Sequence, residues 1–142
     1  MKKVLIINGP NLNMLGSREN DIYGNRTFAD IYKDLEKYAQ QLKIEIYFFQ
    51  SNIEGEIIDK IHESPGKIDY FIINPGALTH YSYSLHDALK SVNIPAVEVH
   101  MSNIYSREEW RSKSVISPAA EGVISGFGEK VYSLALYYIS GL

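Results

Sequence analysis

Apolar residues fall along this chain in two alternating patterns. Short blocks rich in β-branched, aromatic and leucine residues occur at Val4 to Ile7, Ile44 to Phe49, Tyr70 to Ile73 and Ala96 to Val99, with a shorter one at Gly122 to Ser125. Such blocks predict short buried strands, and the continuous run Val4 to Ile7 reads as one buried on both faces. Between them the apolar positions repeat every three or four residues, the period of a helix packed along one face. Phe28, Ile31, Tyr32, Leu35, Tyr38, Ala39 and Leu42 make the clearest stripe, opened by a Thr27–Asp30 cap. A second helix is expected after an Asn52 cap, with Ile53, Ile57, Ile58 and Ile61 inward, closed by Pro65-Gly66. A third covers Ser84 to Val92, and a last one carries Val131, Leu134, Ala135, Tyr138 and Ile139 on its inner face.

Short buried strands alternating with helices predict an α/β fold with a parallel sheet covered on both sides. For 142 residues the expected form is a flavodoxin-like three-layer sandwich, five strands in the order 2-1-3-4-5, as one domain over 1–142. Ligands in this architecture bind at the carboxyl ends of the strands, beside the switch point between strands one and three. The residues expected there are Asn8 to Asn13, Asn74 to His80 and Glu98 to Ser102, the polar clusters of the sequence. The polar stretch of about 9–25 is long for a connection and reads as a mobile lid over the site.

Composition narrows the chemistry. Hydrophobic residues make up 45% and charged residues 22%, an ordinary globular balance, and the formal net charge of −3 leaves no basic footprint for nucleic acid or anionic membrane. Without cysteine there is no disulfide, thiolate chemistry or cysteine-bound zinc, and the four histidines stand at no metal-ligand spacing. The apolar run after Lys2-Lys3 is too short for a signal peptide, so a cytoplasmic domain is expected.

The stretch EVHMSNIYSREEWR, from Glu98 to Arg111, concentrates the chemistry. Glu98 and His100 are two apart on a strand and face the same way. A carboxylate beside an imidazole fixes its tautomer and favours the protonated form, as a general acid requires. Met101, Ser102 and Asn103 offer backbone N–H groups, a hydroxyl and an amide, and Ser106 with Glu109 has the spacing of a capping box that would start a short helix and turn Arg111 inward. A base must come from elsewhere. Tyr23 is the candidate among eleven tyrosines because Arg18 shares its polar loop, and a guanidinium can lower a phenol's pKa. Gly9, Gly16 and Gly24 fit neither dinucleotide nor Walker spacing, and the residues after strand one suit neither a receiver domain nor a flavin phosphate loop.

Three motifs, NGPNLNMLGSR with IYG soon after, INPGALTH and EVHMSNIYSREEWR, resemble those of the type II 3-dehydroquinate dehydratases over essentially the whole chain. The resemblance implies elimination of water from 3-dehydroquinate to give 3-dehydroshikimate, with no metal or cofactor, by a homo-oligomer of trimers assembled into a dodecamer. It implies Tyr23 as the base, Arg18 as the residue keeping it ionised, and Asn11 holding a water against the enolate oxygen. His100, paired with Glu98, would protonate the departing hydroxyl. The substrate carboxylate would rest on Ser102 and the Met101 N–H. Asn74, His80 and Arg111 would hold ring hydroxyls, with Asp87 arriving from a neighbouring subunit. Departures from the family pattern fall at Asn20, where proline is usual, at Tyr81, and at His86 before Asp87. A Schiff-base route would need a desolvated lysine at the strand ends, where the sequence places none, so an enolate route is expected. The competing reading is a non-enzymatic flavodoxin-like ligand-binding domain.

Overall fold

The computed structural model describes residues 1–16 and 26–142. Five parallel strands form one sheet in the order β2-β1-β3-β4-β5. They are β1 (Lys2–Asn8), β2 (Ile44–Gln50), β3 (Tyr70–Asn74), β4 (Ala96–His100) and β5 (Gly122–Ser125). The helices between them are α1 (Phe28–Leu42), α2 (Glu54–His62) and α3 (Tyr83–Ser91), with α4 (Lys130–Ser140) after β5.

Alternation along β1 divides the core. Val4 and Ile6 face a cluster that includes Ile31, Leu35 and Ala39 of α1 and Val131, Tyr132, Ala135 and Leu136 of α4. Leu5 and Ile7 face the other side, against Ile57 and Ile61 of α2 and Leu85, Ala88 and Leu89 of α3. β1, an inner strand of the sheet, is therefore apolar on both faces, which is why the sequence there is unbroken.

Thr27 and Asp30 form the expected capping box at the start of α1. Other local expectations fail. Asn52 does not cap α2, because its Oδ1 accepts instead from the Asn11 backbone N–H at 2.9 Å and from Gln50 Nε2 at 3.2 Å. The cap position falls to Ile53, which is exposed rather than inward, and Ser51 Oγ takes the Ile53 N–H at 2.9 Å. In α4 the inner face is Val131, Tyr132, Ala135, Leu136 and Ile139, while Leu134 and Tyr138 point outward. The slip is about one position, within what an all-round apolar segment permits. No Ser106–Glu109 capping box forms. That stretch makes two 3₁₀ turns, Ile104–Ser106 and Glu109–Ser112, and Ser106 Oγ donates to the Asn103 carbonyl at 2.9 Å.

At the carboxyl edge, β1 and β3 end side by side with Asn8 opposite Asn74. The turns that follow are pressed together, and each depends on a glycine. A Cβ on Gly9 would overlap the Pro75 carbonyl, and one on Gly76, whose φ is +62°, would come within 3.0 Å of the Pro10 carbonyl oxygen.

Candidate active site

Beneath the carboxyl edge two strand-terminal side chains, Asn8 and Asn74, are tied by one buried phenol, Tyr132. Tyr132 OH donates to Asn8 Oδ1 at 2.5 Å, Asn74 Nδ2 donates to Tyr132 OH at 3.1 Å, and Asn8 Nδ2 donates to Tyr32 OH at 2.9 Å. Asn74 Oδ1 also accepts the Gly76 N–H at 3.3 Å. Asn74 thus keeps one N–H and one lone pair for the space above it. Burial raises the pKa of Tyr32, so its phenol serves as a neutral hydrogen-bonding group.

Above this layer lies a cavity of about 150 Å³, the size that encloses a single six-membered ring. Asn11 reaches it from the turn after β1, and Asn74 and His80 from β3 and the turn beyond. His100, Met101 and Ser102 come from the end of β4, and Arg107 and Arg111 from the two 3₁₀ turns that follow. The strand ends expected to carry the site therefore do meet.

His100 Nε2 lies 2.5 Å from Glu98 Oε2, with the glutamate fully buried and the imidazole nearly so. The other carboxylate oxygen, Oε1, accepts from Ser114 Oγ at 3.1 Å and Ser117 Oγ at 2.9 Å. A fully buried carboxylate is thus held by an imidazole and two hydroxyls, and no buried polar side-chain atom among the described residues lacks a partner. Glu98 occupies one ring nitrogen of His100, which leaves Nδ1 for a ligand in the cavity.

His80 is backed by a neutral acceptor instead of a carboxylate. Its Nδ1 lies 2.7 Å from the Lys113 carbonyl, which can only accept, so Nδ1 carries the proton and Nε2 the lone pair. Burial is the main reason its pKa lies below the ordinary histidine value, aided by the nearby His100 and Arg111 and opposed by the Lys113 carbonyl and Glu98. One imidazole is arranged around an acceptor carboxylate, the other kept neutral to accept.

Cationic groups close the rim. Arg111 stacks over the Trp110 ring at 4.0 Å and its Nε donates to Glu108 at 2.9 Å, while Trp110 meets His80 edge-on at 5.2 Å. Arg107 Nη1 donates to Ser102 Oγ at 3.1 Å. That contact takes a lone pair of the Ser102 hydroxyl and leaves its proton to donate elsewhere. No described backbone group accepts from the N–H of Met101 or Ser102. Two guanidiniums, a hydroxyl and two N–H groups make this end of the cavity suited to a carboxylate.

Asp87 is exposed on α3 and does not line the cavity. Tyr23, Arg18 and Asn20 lie outside the described residues, as does most of the expected lid. Among the described residues no group of three or more histidine, aspartate or glutamate side chains could hold a metal ion. Sequence reasoning did not single out Arg107, although it stands inside the densest motif. Nor did it find Ser114, Ser117 or Tyr132, which carry no spacing signal and matter through contacts across the fold.

The chain matches the family model for dehydroquinase class II over residues 2–140. It belongs to the class II dehydroquinase family. It is 63% identical over 138 residues to the 3-dehydroquinate dehydratase of Caldicellulosiruptor bescii, covering 96% of this chain and 95% of that one. It is 51% identical over 139 residues to the Bacillus subtilis 3-dehydroquinate dehydratase, covering 98% and 94% respectively. Its structure superposes on the type II dehydroquinase of Propionibacterium acnes with a TM-score of 0.96 at 39% identity, covering 100% of this chain and 98% of that one. The five-stranded parallel sheet in the order 2-1-3-4-5 is thus found in a chain that superposes closely on a solved type II dehydroquinase.

Proposed function

We propose that this protein is a hydro-lyase that converts 3-dehydroquinate to 3-dehydroshikimate and water through an enolate. The observation that carries the reading is the His100–Glu98 pair facing a one-ring cavity whose rim is furnished for an anion. Family membership supplies the substrate.

The ring carboxylate sits on the Ser102 hydroxyl and the N–H groups of Met101 and Ser102, with Arg107 and Arg111 supplying positive charge. The neutral His80 accepts from a ring hydroxyl at Nε2, Arg111 holds another, and Asn74 uses its remaining donor and acceptor on a third. Tyr23, with Arg18 stabilising its phenolate, removes the proton next to the ketone, and Asn11 orients a water on the enolate oxygen. Donors placed where charge develops are worth several kcal/mol in such a step. The electron pair of the enolate then expels the hydroxyl β to the ketone, and protonated His100 delivers its Nδ1 proton so that water leaves. Glu98 stabilises the imidazolium before this transfer; afterwards His100 is neutral, and solvent returns a proton to it while Tyr23 releases the one it took.

The reaction draws on these side chains and needs no cofactor. The family resemblance further supports a cytoplasmic homo-oligomer of trimers in a dodecamer. There Asp87, exposed on α3 beside the outward Tyr81 and Tyr83, contributes to a neighbouring copy's pocket.

The test follows ultraviolet absorbance after 3-dehydroquinate is added, since the product enone is conjugated and the substrate is not. The wild type should give a rising signal and Tyr23→Phe almost none with the fold intact. Substantial turnover by Tyr23→Phe would remove that tyrosine from the mechanism.

A further inference from the structure

We infer that Ser117, acting together with Ser114, is a positioning residue for the acid, holding Glu98 so that its second oxygen aims His100 into the cavity. The inference rests on the dehydratase reading of His100 and adds a layer beneath it. Glu98 Oε1 accepts two hydroxyl protons, from Ser114 and Ser117, while Oε2 faces the imidazole. With one oxygen fixed by two donors, the carboxylate plane is set and Oε2 has one direction left.

The proton inventory of Ser114 makes the arrangement directional. Its hydroxyl has one proton and two lone pairs. Oγ accepts from the N–H of Ile116 at 3.1 Å and of Ser117 at 3.0 Å. Both lone pairs are used, so its single proton goes to Glu98. Ser117 has no such second task, and its hydroxyl hydrogen-bonds Glu98 alone. The 3₁₀ turn Ser117–Ala119 therefore starts at the point where the chain delivers two donors to one buried oxygen.

The same short segment steers the other imidazole. The Lys113 carbonyl fixes the proton of His80 on Nδ1, and the Val115 N–H donates to the Thr79 carbonyl at 2.8 Å. Residues 113–117 thus underlie both histidines of the cavity: the Lys113 carbonyl accepts from His80 directly, and the two hydroxyls donate to the carboxylate that in turn accepts from His100. Both imidazoles are oriented by one strap that does not itself line the cavity.

Ser117→Ala removes one donor and leaves the backbone and the Ser114 cap in place, whereas Ser117→Thr keeps the hydroxyl. With 3-dehydroquinate, Ser117→Ala should lower kcat about ten- to a hundredfold, the loss of one hydrogen bond to a charged group. KM should stay within about twofold because His80 and the rim are untouched, and Ser117→Thr should restore most of kcat. In ¹⁵N-histidine NMR, assigned with His100→Gln, neutral wild-type His100 should carry its proton on Nε2, and Ser117→Ala should mix the two tautomers. An unchanged kcat, a rise in KM alone, no recovery in Ser117→Thr, or an unaltered tautomer signal would each overturn the inference. If the wild type fails to convert 3-dehydroquinate, the substrate reading falls and the NMR result alone decides the positioning role.

Discussion

At the scale of single residues, function turns on which ring nitrogen or hydroxyl proton points where. His80 and His100 both have an oxygen acceptor behind the ring, but it is a neutral carbonyl for one and a carboxylate for the other. The depressed pKa of His80 has a thermodynamic consequence. Its neutral form is favoured by folding, so the unfolded chain binds more protons between the folded value and the unfolded value of about 6.5. The stabilisation is complete above that unfolded value and is lost as pH falls through the folded one. His80→Gln should therefore flatten the acid side of the stability curve, measured by urea unfolding at successive pH values, and an unchanged slope would rule His80 out. Tyr132→Phe is the second test at this scale. It strands Asn8 Oδ1 and weakens Asn74, so it should cost about 1–3 kcal/mol, read from the urea midpoint. Loss of Asn74 alignment should also lower kcat, and a fully stable, fully active variant would contradict the role of the phenol.

At the scale of elements, the site depends on two turns fitting against each other. The turn after β1 meets the turn after β3 through Gly9 and Gly76, with no room for a Cβ on Gly9. Gly9→Ala should destabilise by about 1–3 kcal/mol and lower activity by displacing Asn11 and Asn74 together. An active crystal form with both turns unmoved would show that the backbone can yield there. This scale also separates what could be read from the sequence from what could not. β1, β3 and β4 were legible because burial on both faces leaves an uninterrupted apolar record, and α1 because its stripe and cap agree. The inner face of α4 was misread because apolar residues surround it. Asn52 looked like a cap, and only the fold reveals that Asn11 claims its oxygen. The cluster of Asn11, Asn74, His80 and His100 could be placed at one edge from topology alone. The partnership of Glu98 with Ser114 and Ser117 could not, since it joins residues by three-dimensional approach without a periodic signature.

For the molecule as a whole, a modest net charge of −3 coexists with a cationic rim at one end of the sheet. Arg107 and Arg111 would draw an anionic ring toward a cavity otherwise set in an acidic chain. Raising ionic strength from about 0.01 to 1 M shortens the screening length from about 30 to 3 Å. KM for 3-dehydroquinate should then rise severalfold with kcat little changed, and a salt-independent KM would argue against long-range attraction. In the proposed mechanism the two bonds that must break are assigned to different residues, the α C–H to Tyr23 and the C–O to His100 at the end of β4. The most direct measurement is therefore made on His100→Ala, following both dehydration of 3-dehydroquinate and exchange of its α proton with deuterated solvent. Dehydration should fall by about 10²–10⁴-fold while exchange continues. Equal slowing of both, or dehydration at the wild-type rate, would contradict His100 as the acid.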